Sequence, residues 1–195
     1  MPAQPAYVPP MPPTVMTAED LLHAHIPDKR TELVRGVLIV REPPGGRHGS
    51  VTMNLALRIG AHVERLGAGQ LFAAETGFTL ARRPDTVRAP DIAFVRRERL
   101  PQPIPVGFPE LVPDLVVEVL SPGDRPGEVL AKIGDWIEAG ARLVWAVDPE
   151  RRLARIYRQD GSEATISQDG RLDGEDVLAG FSCALASILS APPPA

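Results

Sequence analysis

Three side chains in this sequence have the types and settings to act together. Glu118 stands in DLVVEVLSP (114–122), a near-continuous apolar run of the kind that forms a strand buried on both faces. A carboxylate there must find a partner or take up a proton, because burying an unpaired charge is costly. A cation, a lysine or a local hydrogen-bond network would each serve. Asp91 interrupts a second apolar segment, VRAPDIAFV, directly after Pro90. Lys132 falls on the helix predicted after the Glu118 strand, at the edge of its apolar stripe. Its stem can lie along the protein while the amine reaches inward. Two carboxylates from neighbouring strands and a lysine suit a hard divalent cation. Magnesium, or manganese in its place, takes oxygen ligands and uses one or two protein carboxylates beside water and phosphate oxygens. Asp91 and Glu118 are the candidate metal ligands. Such an ion polarises a phosphate and acidifies an attacking water. The lysine orients that water or neutralises developing charge. Glu32 and His48 are further polar candidates. No Cys/His set has zinc spacing.

The elements that must position these residues can be read from pattern. Thr17 with Asp20 resembles a capping box and predicts a short helix to about His25, stopped by Pro27. In TELVRGVLIV the Arg35-Gly36 turn signal predicts a β-hairpin opened by Glu32. Val51, Leu55, Ile59, Val63 and Leu66 recur at helical spacing, so a long amphipathic helix should run from His48 to Leu66 and stop at Gly67. QLFAAE and GFTLAR read as two short strands, and VRAPDIAFV as one more. Residues 97–113 form a proline-dotted loop of a length that often carries function. The Glu118 strand, a helix over about 126–139 and RLVWAVD make a right-handed βαβ unit with parallel strands. RLARIYRQ and EATISQ form an antiparallel pair, and DVLAGFSCALASIL closes the fold as a strand ending in a short helix.

The 195 residues suffice for one medium domain, here residues 16–189. The proline-rich stretches 1–15 and 190–195 read as disordered tails. Net charge −4 argues against a strongly basic, non-specific nucleic-acid binder but leaves room for a local basic groove. With 5% aromatic residues, a single-strand stacking platform is not expected. No apolar run approaches the roughly 18 residues of a membrane span. The first residues lack the Lys or Arg of a secretory signal. A lone cysteine, Cys183, forms no internal disulfide, which fits a reducing, cytoplasmic setting.

Each candidate also has a plain structural reading. Asp91 after Pro90 can cap a turn, and Lys132 can be a solvated helix residue. Glu118 can bridge to Arg88 or Arg142, and His48 can simply start its helix. His23, His25 and His62 lack carboxylates at useful spacing and read as surface. Cys183, Trp136 and Trp145 read as core. Arg82, Arg83, Arg96, Arg97 and Arg99 form either a solvated edge or a track for a phosphate backbone.

VRAPDIAFV followed by DLVVEVLSP resembles the PD-(D/E)xK nuclease superfamily. MTAEDLL, ELVRGVLIV, the RHGSV helix start, PDLVVEVLSPGDR, Lys132 and GARLVWAVDPERR, in that order over roughly residues 16–189, more closely resemble the restriction-endonuclease-like family Uma-two. The resemblance implies an α/β (α+β) restriction-endonuclease-like core, a mixed sheet flanked by helices, whose central strand hairpin carries the metal carboxylates. It makes Asp91 the motif aspartate and Glu118 the second acidic ligand. The superfamily places a lysine two residues later, where this chain has Leu120. In this family the lysine comes from the following helix, as Lys132 would. Glu32 and His48 take supporting roles at the pocket rim. The expected protein is a magnesium- or manganese-dependent endonuclease hydrolysing phosphodiester bonds of DNA, possessing no membrane span and acting as a homodimer. The alternative is a catalytically inactive nuclease-fold module that binds nucleic acid or protein.

Overall fold

The computed structural model describes residues 15–24 and 26–189. Apart from Val15, the two predicted disordered tails lie outside the described residues, as does His25. The elements run α1 (Ala18–His23), β1 (Arg30–Val34), β2 (Val37–Arg41), α2 (Gly46–Leu66), β3 (Gly69–Ala73), β4 (Phe78–Ala81), β5 (Thr86–Arg88) and β6 (Ile92–Arg96). A 3-10 turn (Arg97–Arg99) leads into the long loop. Then follow β7 (Leu115–Val119), α3 (Pro126–Ala139), β8 (Leu143–Asp148), β9 (Leu153–Arg158), β10 (Glu163–Ser167), β11 (Arg171–Asp173), β12 (Ser182–Ala184) and α4 (Leu185–Leu189).

Local chemistry explains most of these boundaries. Thr17 and Asp20 form a reciprocal capping box, and α1 ends at His23, short of the expected His25. Arg35 and Gly36 both take positive φ, the geometry of a tight hairpin turn that joins β1 to β2. The apolar stripe of α2 is buried at Val51, Leu55, Ile59 and Val63, and Gly67 ends the helix in the left-handed conformation.

The strands divide between a six-stranded mixed sheet, β10-β9-β8-β7-β6-β3, and a four-stranded antiparallel sheet, β2-β1-β5-β4; β11 and β12 pair separately. The β7-α3-β8 unit has the predicted parallel pairing, with Glu118 opposite Ala146. Side-chain alternation on β7 decides what Glu118 meets. Leu115, Val117 and Val119 join the core formed with α2, whereas Val116 joins the core formed with Ile133 and Trp136 of α3. Glu118 shares the face of Val116 and so looks toward α3.

QLFAAE and GFTLAR form the two expected strands, β3 and β4, in different sheets. One expectation needs correction. VRAPDIAFV is not one strand. It splits into β5, paired with β1 and β4, and β6, paired with β3 and β7. The break falls at Ala89-Pro90-Asp91, where proline has no N–H to give to a ladder. The Ala89 N–H donates to the Glu32 carboxylate (2.9 Å), and the Ala89 carbonyl accepts from Lys132 Nζ (3.0 Å). Side chains thus satisfy the backbone where the sheets part.

Candidate active site

Antiparallel pairing of β6 and β7 sets Ile92 opposite Val117, so Asp91 and Glu118 lie beside each other across the hairpin. The Asp91 N–H donates to the Val117 carbonyl (3.1 Å), and the Val119 N–H donates back to Asp91 Oδ2 (2.7 Å). His48, in the first turn of α2, places Nε2 3.1 Å from the same oxygen. Arg30 donates to Asp91 Oδ1 at 3.0 Å. On Glu118, Oε1 accepts from the Trp136 indole N–H (2.9 Å) and Oε2 from Lys132 Nζ (2.9 Å). Lys132 also lies 3.0 Å from Glu32 Oε1. Glu32 in turn accepts from Arg88 (2.8 Å), whose guanidinium also holds Asp135 (2.5 and 2.9 Å).

Helical spacing accounts for the α3 contribution, since positions i, i+3 and i+4 share a face and Lys132, Asp135 and Trp136 stand in that relation. Strand spacing accounts for Arg30 and Glu32, two residues apart on β1.

Burial and charge decide the protonation of the cluster. Burial pushes Glu118 upward; Lys132 opposes, while the charges of Asp91 and Glu32 add to the rise, and the carboxyl is pushed up to about 7. Burial pushes Asp91 up as well, but the His48 hydrogen bond and the Val119 N–H outweigh it and hold Asp91 low. For Glu32, burial is outweighed by Lys132 and Arg88, and the carboxyl stays low. Burial lowers Lys132, yet Glu118 and Glu32 more than compensate and keep it a cation.

These residues line the floor of a cleft of about 960 Å³. Its walls carry Lys29, Arg41, Arg47 and Arg125, with Glu42, Glu128 and Glu150 as their partners. The sequence profile of the Uma2 family, described as "putative restriction endonuclease", matches residues 18–186. The chain belongs to the Uma2 family. A crystal structure of a "putative nuclease belonging to DUF820" from Anabaena variabilis ATCC 29413 superimposes with a TM-score of 0.79 at 18% identity, covering 89% of this chain and 97% of that one. That likeness establishes the fold, and with the Uma2 match it supports the restriction-endonuclease-like architecture. No curated protein matches the chain.

All five site residues expected of a Uma2 chain meet in this cleft: Asp91, Glu118, Lys132, Glu32 and His48. Neither Glu32 nor His48 is at the rim, however: Glu32 is buried beneath Lys132 and His48 is buried against Asp91. Glu118 bonds neither Arg88 nor Arg142, since Arg88 serves Glu32 and Asp135, and Arg142 pairs with Asp176. None of Arg82, Arg83, Arg96, Arg97 and Arg99 lines the cleft. Arg82 holds Asp85 and Glu110, Arg96 bonds the Val177 and Asp176 carbonyls, and Arg99 pairs with Asp114. Sequence reading passed over Arg30 and Asp135, and it took Trp136 as core without its hydrogen bond to Glu118. The signals were available: Arg30 is two residues from Glu32 on a strand, and Asp135 and Trp136 are three and four from Lys132 on a helix.

The donor set fits a hard divalent ion. Glu32, Asp91, Glu118 and Asp135 face Lys132, Arg30 and Arg88, and the surplus negative charge is felt at Glu118. Among the described residues no three His, Cys, Asp or Glu side chains gather as a protein-only metal cage. Two adjacent carboxylates are what magnesium or manganese uses when water and phosphate oxygens complete its shell.

Proposed function

We propose that the protein is a metal-dependent endonuclease that hydrolyses phosphodiester bonds of DNA. The reading rests above all on one arrangement. Lys132 Nζ is held 2.9 Å from Glu118, beside Asp91, at the floor of a cleft whose walls carry cationic side chains. Asp91 and Glu118 would hold magnesium or manganese. Such an ion, when bound, supplies charge neutralisation on the phosphate and acidifies a bound water.

The chain's own groups supply the rest. Lys132 stays protonated through Glu118 and Glu32 and presents positive charge where a phosphorane-like charge develops. Glu32, fixed by Arg88 and the Ala89 N–H, keeps that ammonium in place. His48 donates from Nε2 to Asp91 and fixes the carboxylate's orientation. Trp136 does the same for Glu118. Arg41, Arg47, Lys29 and Arg125 line the path for a phosphate backbone.

A plasmid-nicking assay with magnesium or manganese tests the assignment. Cleavage by the wild type should be lost in both Asp91→Ala and Glu118→Ala; cleavage unchanged in the two variants would refute it. Cutting both strands of a duplex calls for two such clefts, and a homodimer in the reducing cytoplasm would supply them. Sedimentation with a duplex checks the stoichiometry.

A second reading is a binding module without catalysis. It is favoured by the cations already seated on both carboxylates, Arg30 on Asp91 and Lys132 on Glu118. Melting temperatures unmoved by magnesium, together with duplex binding indifferent to it, would favour that reading.

A further inference from the structure

Each of the two central carboxylates has one oxygen held by fixed donors and one held by a cationic side chain. Asp91 Oδ2 accepts from the Val119 N–H and from His48, and Glu118 Oε1 from Trp136. Asp91 Oδ1 is held by Arg30 and Glu118 Oε2 by Lys132. The two cations are not equivalent. Lys132 is anchored at three points, Glu118, Glu32 and the Ala89 carbonyl. Among the described residues, the Arg30 guanidinium makes one hydrogen bond, to Asp91. A guanidinium carries five N–H donors in a fork that matches phosphate.

The register of β1 and β2 adds a second observation. Arg30 is directly opposite Arg41, and both line the cleft. Side chains directly opposite on an antiparallel pair share one face, where like charges are unfavourable unless an anion joins them. Asp91 now answers Arg30, and Glu128 answers Arg41 across the cleft. A phosphate would answer both.

We propose that Arg30 has two stations: it holds Asp91 Oδ1 in the absence of a divalent cation, and it moves to a substrate phosphate beside Arg41 once a cation takes that oxygen. The inference rests on the metal-dependent reading of the site. It makes Arg30 a competitor of the metal in the free protein and a substrate-positioning residue in the complex, two roles with opposite signs in one variant.

Titration calorimetry with manganese chloride on the intact chain, paired with anisotropy of a labelled DNA duplex in saturating calcium, tests the proposal. Arg30→Gln should bind manganese about tenfold more tightly than wild type, the effect of removing one charge-assisted hydrogen bond from the competing cation. The same variant should bind the duplex more weakly. Arg41→Gln, which removes a nearby charge that does not touch Asp91, should leave manganese affinity within about twofold and weaken duplex binding alone. Arg30→Lys, which keeps the charge and loses the fork, should bind manganese with intermediate affinity. Manganese affinity in Arg30→Gln that is unchanged or weaker overturns the proposal, as does an equal gain in Arg41→Gln. Manganese affinity undiminished in Asp91→Asn sinks the metal reading itself, a result distinct from either.

Discussion

The cleft carries charge pairs in two settings. At and beneath its floor Lys132, Glu118, Glu32, Arg88 and Asp135 have side chains only 6–19% exposed, and each polar group is bonded to more than one neighbour or to a partner that is. At its rim Arg41 pairs with Glu128, Arg47 with Glu150 and Lys29 with Glu42, at 33–78% exposure. The chemistry of the pairs is the same and their consequences differ. A buried charge that loses its partner has no water to fall back on, so the floor is locked. An exposed pair competes with water and salt on nearly equal terms and is easily exchanged. The floor is built to stay in place, and the rim pairs are free to exchange partners.

The sharpest break in this contrast is Lys132→Met. It strands two buried carboxylates, Glu118 and Glu32, and should lower unfolding free energy by about 3–5 kcal/mol in a urea titration. A loss below about 1 kcal/mol, the worth of a surface pair, would dissolve the distinction. Trp136→Phe removes the donor to Glu118 Oε1 and should cost about 1–3 kcal/mol, the desolvation left when a buried acceptor loses its partner.

Proton linkage offers a third approach. Glu118 holds its proton more tightly in the folded chain, at about 7 against an ordinary 4.5, so folding takes up a proton between those values. Stability from this group therefore falls as pH rises through that window. Asp91 and Glu32, held low, act oppositely: their contribution is lost as pH falls below the ordinary carboxylate range. Glu118→Gln should flatten the first slope, as read by urea midpoints across the window, and leave the acid limb.

The rim should answer to salt. Arg41→Gln and Arg47→Gln should each reduce the slope of log affinity for duplex DNA against log salt by about one, with stability unchanged. Glu128→Gln and Glu150→Gln should strengthen duplex binding and shift unfolding free energy by no more than about 0.5 kcal/mol. A loss of several kcal/mol in either would mean that the rim pairs are structural after all.

Legibility in the sequence followed the range of the interactions. α2 and the β7-α3-β8 unit were readable because their apolar periodicity is local and long. Glu118 was readable because a carboxylate in LVVEV conflicts with its neighbours. The division of VRAPDIAFV was hidden, since the choice of sheet depends on partners far along the chain, Leu33 for Val87 and Val117 for Ile92. Only Pro90 hinted at it. Trp136 was read as core, and it is fully buried; its polar handle became visible only once Glu118 lay beneath α3. Arg30 was missed because its spacing from Glu32 shows only a shared strand face, while its partner, Asp91, lies far along the chain. For Arg82, Arg96 and Arg99 the choice between solvated edge and phosphate track was likewise hidden, as Glu110, the Val177 and Asp176 carbonyls and Asp114 lie far along the chain.

The break at Ala89-Pro90-Asp91 has a mechanical consequence. Arg30, Glu32 and Arg88 belong to the four-stranded sheet, whereas Glu118 belongs to the six-stranded one. The candidate site is therefore a joint between two plates, assembled only when they are docked. The smaller plate, of short strands, can open locally at less free energy than the whole fold requires. Warming should disarm the protein before the larger plate melts, so that activity acts as a gauge of how firmly the two sheets are shut.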